Sequence, residues 1–271
     1  SREDLLRSEA IERAPGAEAP VRTYGLSDSP FDCQPIAVAL DVDRQTRANA
    51  DPALDPEQDA ASVGAQDLNI KLERNLASVY FGASAWGTTV TGGTDFPVSG
   101  TAKWSDAASS PIEDIASASY TILSNTGFLP NTLLLGAQGW YSALMHHPDI
   151  IGRLPDNAPK MATEAFLAQL LGLDRVLISR AAYNSAAEGG TASYAMALTD
   201  NAVLAYVAPN PGLRTPSAAY AFSWRGAYPG DVVTRRIEIP EKDGTVRVET
   251  EAAIDFVVVA SELGYEFTDV A

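Results

Sequence analysis

The chain has 271 residues, 46% of them hydrophobic, enough for one large or two small domains with real cores. Nineteen basic against thirty-five acidic residues leave a net charge of −16, which excludes nucleic-acid binding by the overall field, since that needs clustered Lys and Arg. Cys33 is the only cysteine, so intrachain disulfides and thiol-rich metal sites are excluded, and a reducing, cytosolic folding compartment is the simplest expectation.

No apolar run approaches the roughly 18 residues needed to span a bilayer. The opening Ser-Arg-Glu-Asp-Leu-Leu-Arg lacks the apolar stretch of a secretory signal. The acid excess is uneven. Residues 1–60 hold thirteen acids and six bases, and residues 231–271 hold ten acids and four bases, while the middle is nearly balanced.

In chain order, residues 1–14 read as a short helix with Leu5, Leu6, Ala10 and Ile11 on one side, ended by Pro15-Gly16. A helix this short is marginal alone and needs a partner surface. Ala17 to Pro35 is rich in Pro, Gly, Ser and Asp and reads as an extended arm or hairpin. Ile36, Val38, Leu40 and Val42 alternate with small or polar residues, as in a half-buried strand. Asp55-Pro56-Glu57-Gln58 then signals a helix start, with Asp55 at N-cap and Pro56 at the first helical position. Ala61, Ala65, Leu68, Leu72, Leu76 and Val79 make one stripe up to Gly82. That predicts a single long helix of about 25 residues, about 38 Å at 1.5 Å per residue.

Gly87 to Thr101 is expected as a Gly/Thr-rich loop, and Ser110-Pro111-Ile112-Glu113 as a capping box opening a helix that stops before Gly127. Between Phe128 and Arg180 a strand-and-helix order repeats. Leu133-Leu134-Leu135 is an apolar strand left at Gly136. Gln138 to His147 is a helix stopped by Pro148, a second helix runs through Phe166–Leu171 to Gly172, and Arg175 to Ser179 is a buried strand. Tyr194–Leu198 and Val203–Val207 flank a turn at Asp200-Asn201, and Tyr220–Trp224 is another strand. Val232–Ile239 and Thr245–Thr250 form a hairpin around Asp243-Gly244, and Ile254–Val259 is a further buried strand.

Chemistry finds little footing. His146 and His147 are adjacent on one helix and point about 100° apart, whereas helical metal pairs prefer i and i+4. Their place near a helix C-terminus has an ordinary electrostatic explanation. Gly136-Ala-Gln-Gly139-Trp-Tyr-Ser142 follows a strand as a dinucleotide-binding turn does, but its middle glycine is displaced, and Trp140 would crowd a pyrophosphate. Gly82-Ala-Ser84-Ala-Trp86 lacks the second glycine of a nucleophile elbow. Glu113 and Asp114 sit at a helix start, where the dipole stabilises carboxylates without catalysis. Trp86, Trp104, Trp140 and Trp224 are expected in the core. No catalytic, cofactor-binding or metal-binding residue is assigned, and no cofactor. An α/β enzyme using the Gly136–Ser142 turn is the alternative from a different class.

The stretch Gly127-Phe-Leu-Pro-Asn-Thr-Leu-Leu-Leu-Gly136, running on to Trp140, Leu144 and His147-Pro148-Asp149-Ile150, resembles the major capsid proteins of tailed bacteriophages with the Hong Kong 97 fold. So does Leu167-Ala-Gln-Leu-Leu-Gly-Leu-Asp-Arg-Val-Leu-Ile178, followed by Ala182-Tyr183-Asn184. The resemblance implies an α+β fold with an N-terminal arm (1–20), an extended loop (21–40), a peripheral domain (41–110 and 226–271) built on the long helix as its spine, and an axial α/β domain (111–225). It further implies self-assembly as hexamers and pentamers into an icosahedral shell around double-stranded DNA, with no sequence-specific DNA binding and no membrane. Cement or decoration, portal and scaffolding proteins are further partners of such shells, which are assembled in the bacterial host cytoplasm and become the virion capsid. Leu5, Leu6, Ile11, Arg22 and Asp28 are the interface residues expected under this reading, Arg22 and Asp28 either as solvated charges or in salt bridges to a neighbour. An encapsulin-like or gene-transfer-agent shell is the nearest alternative. Some members weld neighbours through a lysine on the extended loop. Here the lysines are Lys71, Lys103, Lys160 and Lys242, none before the long helix, so that route is not expected.

Overall fold

The computed structural model describes residues 30–51, 54–155, 159–187, 189–212, 215–242 and 244–271. The helix expected at 1–14, the arm and most of the extended loop, and with them Leu5, Leu6, Ile11, Arg22 and Asp28, lie outside the described residues, as does Asp243 of the expected hairpin turn.

After a short helix, α1 (Arg44–Asn49), the long helix α2 runs unbroken over Pro56–Tyr80. Its start is capped as the sequence predicts: the Asp55 carboxylate accepts from the Glu57 and Gln58 amides at 3.1 and 3.3 Å. Ala60, Gly64, Leu68 and Leu72, each four residues on, are its buried positions. They lie on a sheet whose centre is the 14-residue strand β10 (Thr245–Val258). β1 (Pro35–Val42) pairs antiparallel with β10 from Pro35↔Ala253 to Val42↔Val246. β9 (Val233–Ile239) pairs with Thr245–Glu251, and β8 (Ala219–Ser223) with Ile254–Val258. The β9–β10 hairpin is therefore as expected, but the strand expected at 254–259 is the continuation of β10, and it is half-buried rather than buried. Val246 and Val248 pack with Val42 and Ala60, and Ala252 packs with Leu68 and Leu72. Gly64 allows the close approach. A Cβ there would lie 3.0 Å from Thr250 Oγ1 and 3.4 Å from Leu40 Cδ1.

The second sheet has the order β2-β11-β7-β3-β4. β3 (Thr132–Leu135) and β4 (Arg175–Ile178) are parallel, joined through a π-helical turn at Gly139–Leu144, α4 (Pro148–Ile151) and α5 (Glu164–Leu171). β7 (Ala202–Ala205) lies antiparallel between β3 and β11 (Gly264–Thr268), and β2 (Thr88–Thr91) runs parallel to β11. One face of this sheet, through Leu133, Leu135, Val176, Leu204, Tyr265 and Phe267, joins α3 (Pro111–Thr126) in the main core. Trp104 packs there in tilted contact with Phe96 and Phe267, with ring centroids 5.5 and 4.9 Å away.

Several expectations are corrected. The stretch expected as a plain loop at 87–101 contains β2, whose one strand partner among the described residues is β11, so it could not be seen locally. The 194–198 and 203–207 segments do not pair with each other. β6 (Tyr194–Met196) pairs instead with β5 (Ala182–Asn184), while Leu198–Asn201 is drawn onto the Gly136 turn. β4 is an edge strand, and Leu177 on it is 44% exposed. Pro148 does not merely stop a helix but opens α4. The expected helix at 138–147 is a π-turn in which the Met145 amide donates to Trp140 O. Ser110 makes no side-chain cap. Trp86, Trp104 and Trp140 are buried, but Trp224 is 53% exposed.

The strands of the two sheets interleave along the chain. β2 and β11 belong to the five-stranded sheet, and β8 belongs to the sheet under α2. Where the chain passes between the sheets, Gly87 N donates to Ser261 O at 3.0 Å, and Gly264 lies against the Trp86 ring. A Cβ on Gly264 would come within 2.0 Å of Trp86 Cε3, so only glycine fits.

Candidate assembly surface

The groups that looked chemical in the sequence are occupied in structural work. The Gly136–Ser142 turn cannot cradle a phosphate, because its amides are taken. Gly136 N donates to Asn201 O, and Gln138 N to Thr199 O, both at 2.8 Å. A Cβ on Gly136 would meet Thr199 O at 2.2 Å, and one on Gly139 would meet Val270 at 2.8 Å, so protein already fills the space a ligand would need. His147 is buried and caps α4: its Nδ1 accepts from the Asp149 amide at 3.2 Å, and its Nε2 meets Ser109 Oγ and Asp106 O, both at 3.1 Å. It therefore starts a helix rather than ending one. Its neighbour His146 is exposed. Among the described residues no group of His, Cys, Asp and Glu could hold a metal ion. Nor is any helix there long and apolar enough to cross a membrane.

Asp114, at the start of α3, does more than complement the helix dipole. Oδ1 accepts from the Val98 and Ser99 amides at 2.8 and 3.0 Å, and Oδ2 accepts from Ser99 Oγ at 2.5 Å and Trp104 Nε1 at 3.0 Å. This fully buried carboxylate pins the 96–104 loop to the first turn of α3, where the helix dipole adds to its stability. No sequence signal marked it, because its partners lie 10 to 16 residues away in an irregular loop.

Ion pairs stitch the sheet under α2. Asp41 on β1 accepts from Arg247 Nε at 2.7 Å and from Lys242 Nζ at 3.3 Å. The Arg247 hydrogen bond holds its pKa down at about 2. Glu57 joins Arg236 at 2.7 Å and Arg47 at 3.3 Å, and the Arg236 contact likewise lowers its pKa. Glu251, buried on β10, pairs with Arg235 of β9.

The second face of the five-stranded sheet is covered at one end and open at the other. Thr89, Glu266, Val203, Leu134 and Leu177 form one cross-strand row over its five strands. At the β11–β7 end, Val203 packs in a cluster with Trp86, Tyr80 and Phe81, and Glu266 is 2% exposed. Burial raises the Glu266 pKa, and its hydrogen bond from Thr89 Oγ1 only partly offsets this. At the β3–β4 end the cover stops. Between this end and the C-terminal half of α2 lies a cleft of about 550 Å³, lined by Leu72, Leu76, Leu134, Leu177, Leu198 and Phe256 among others. Ser179 and Glu73 face each other across it. A second cleft of about 350 Å³ shares Ala77 and Leu198 with the first and reaches Phe81. Leu76, in the same sequence stripe as Leu68 and Leu72, lines the first cleft and is only half-buried.

The described residues thus combine a long helix on a sheet, a βαβ core and an open apolar cleft. No family model matches the chain. It is similar in structure to a phage-related protein of Bordetella bronchiseptica RB50, with a TM-score of 0.71 and 21% identity, covering 99% of this chain and 84% of that one. It is also similar to the capsid protein of cyanophage P-SCSP1u, with a TM-score of 0.55 and 15% identity over 97% of this chain and 80% of the other. In sequence it is 26% identical to the major capsid protein of Burkholderia phage BcepMu over 197 residues, 71% of this chain and 60% of the relative. The major capsid protein of Pseudomonas phage JBD67 is 30% identical over 176 residues, 63% of this chain and 53% of the relative. The chain thus spans a little over half the length of these curated relatives. Its fold is the Hong Kong 97-type fold of phage capsid proteins. By sequence it is related to the phage major capsid proteins.

Proposed function

We propose that the chain is a major capsid subunit, a structural protein and not an enzyme, whose copies assemble as hexamers and pentamers into an icosahedral shell around double-stranded DNA. The observation that carries this reading is the match of fold over 99% of the chain to a phage-related protein, joined to major capsid relatives at 26 and 30% identity. The filled Gly136 turn counts against the enzyme alternative. The mechanism is geometric. A subunit that leaves apolar sheet and helix faces open buries them on neighbours, and many modest contacts add up. With a net charge of −16, the shell holds DNA by enclosure, without base-specific contact. In this reading the shell forms in the bacterial host cytoplasm and becomes the virion capsid, with portal, scaffolding and cement proteins as further partners.

Electron microscopy of the purified chain is the test. Closed particles of uniform size support the reading, and a small oligomer at all concentrations overturns it. Nucleic acid inside particles from infected or induced cells separates a genome shell from an encapsulin-like one, whose cargo is protein.

A further inference from the structure

A buried carboxylate stands where the chain crosses between the two sheets. Glu266 lies on the second face of β11, flanked in register by Thr89 of β2 and Val203 of β7. Two residues before it on the same face, Gly264 seats the Trp86 ring. Trp86 Nε1 in turn donates to the carbonyl of Tyr80, the last residue of α2, at 2.6 Å. The turn between them holds Ser84 at a φ of 62°, a left-handed conformation that a side chain with a Cβ disfavours. Val203 packs in one apolar cluster with Trp86, Tyr80 and Phe81.

Glu266 has little there to hold a charge. Its side chain accepts from Thr89 Oγ1 at 3.2 Å, and no cation among the described residues offsets its burial. Of the titratable groups around it, Tyr80 stays neutral up to about 12 because burial raises it. Glu262 lies exposed beside Gly87. Asp95 and Asp114 act on Tyr265, whose ring belongs to the main core on the opposite face. Lys103 and Asp269 pair with each other past the end of β11. The neutral acid fits this site, whereas the ionised form demands water. Water reaches it most directly past β2, a four-residue edge strand whose one strand partner among the described residues is β11. β7, on the other side, is held between β11 and β3. A short edge strand opens locally at lower cost than the strands of a core.

We propose that ionisation of Glu266 releases β2 and the Trp86 seat from β11 while the rest of the five-stranded sheet stays folded, so that this crossing is closed in acid and loosened as pH rises. Burial lifts the Glu266 carboxyl above its ordinary 4.5, so the closed form holds the proton more tightly than the hydrated, opened form. The closed form is favoured in full below the opened-state value, and that advantage is lost as pH rises through the closed-state one. The device lies within one chain and does not depend on how copies associate.

Amide exchange of the full chain, followed by mass spectrometry from about pH 4 to pH 8, tests it. At each pH the exchange of residues 82–92 is divided by that of β3, so that the intrinsic pH dependence cancels. The expected ratio in the wild type rises by up to about tenfold for each pH unit between the opened-state and closed-state values. In Glu266→Gln it should stay flat, and in Glu262→Gln it should rise as in the wild type. Thr89→Val is the second variant, in case Glu266→Gln fails to fold. It removes the hydroxyl that favours the ionised form, so the rise should continue to higher pH. A wild-type ratio independent of pH overturns the proposal, whether both segments stay protected or lose protection together. A rise that persists in Glu266→Gln, vanishes in Glu262→Gln or is unmoved in Thr89→Val assigns the response to another group and overturns it equally.

Discussion

Ser179 Oγ donates to Glu73 Oε1 across 2.6 Å, joining the end of β4 to the middle of α2 over an otherwise open cleft. One residue along, the Arg74 guanidinium lies 4.2 Å from the centre of the Tyr183 ring. Removing the hydroxyl by Ser179→Ala is expected to destabilise the subunit by about 1–2 kcal/mol, as for a hydrogen bond to a charged group that solvent can still reach. Urea unfolding of the wild type and the variant measures it. An unchanged midpoint would show that the two sheets hold together without this link.

Leu72→Ala should destabilise by about 2–5 kcal/mol, because Leu72 packs with Leu68 and Ala252 and the hole cannot collapse against a rigid helix and strand. Leu76→Ala removes the same atoms from a half-buried residue, whereas Leu72 is buried, so its effect on the isolated subunit should be clearly smaller. Equal losses for the two, in the same denaturation series, would contradict the open cleft.

Asp114→Asn should lower stability by about 2–4 kcal/mol and alter Trp104 fluorescence. The amide keeps one acceptor oxygen and turns a donor toward groups that are themselves donors, the Ser99 and Trp104 hydrogens or the Val98 and Ser99 amides. A variant with unchanged stability and emission would refute the loop-pinning role.

Two carboxylates predict opposite pH signatures. Asp41 titrates at about 2 in the folded chain, below its usual 3.8, because of Arg247 and then Lys242. Its stabilising share is therefore full above the unfolded value and is lost as pH falls through about 2. The stability gap between the wild type and Asp41→Asn should be constant near neutrality and close in that acid window. Glu266 is raised by burial, so at pH between its unfolded and folded values the folded chain holds a proton that the unfolded chain has released. Its share is favourable below the unfolded value and is lost as pH rises through the folded one. Glu266→Gln should therefore stabilise the chain at neutral pH and gain little in acid. Stability measured as a function of pH for the three proteins decides both signs.

Assembled particles should run as ordinary monomer bands in denaturing gels with reductant. Lys103 is engaged by Asp269 at 2.5 Å and by Ala271 O at 3.0 Å, and Lys242 by Asp41 at 3.3 Å, so two of the four lysines have partners within the chain. Ladders that survive boiling in reductant would contradict this. Weakening of the particles by high salt would measure the ionic share of their cohesion.

Local chemistry determined much of this protein directly. Asp55-Pro56 start α2 and the four-residue spacing carries it to Tyr80, Gly127 and Gly172 end α3 and α5 at positive φ, and alternation marks β1. These are signals read within one turn or one strand, where backbone hydrogen bonding and side-chain periodicity act over a few residues. Tertiary structure alone decided which strands meet and which faces stay open. β2 exists because β11, 177 residues later, offers it an edge, and Asp114 matters because a distant loop folds back onto it. The run Leu133-Leu134-Leu135 reads as buried on both faces, yet its middle residue borders an open cleft, since a side chain's burial depends on what packs above it and not on its own hydrophobicity.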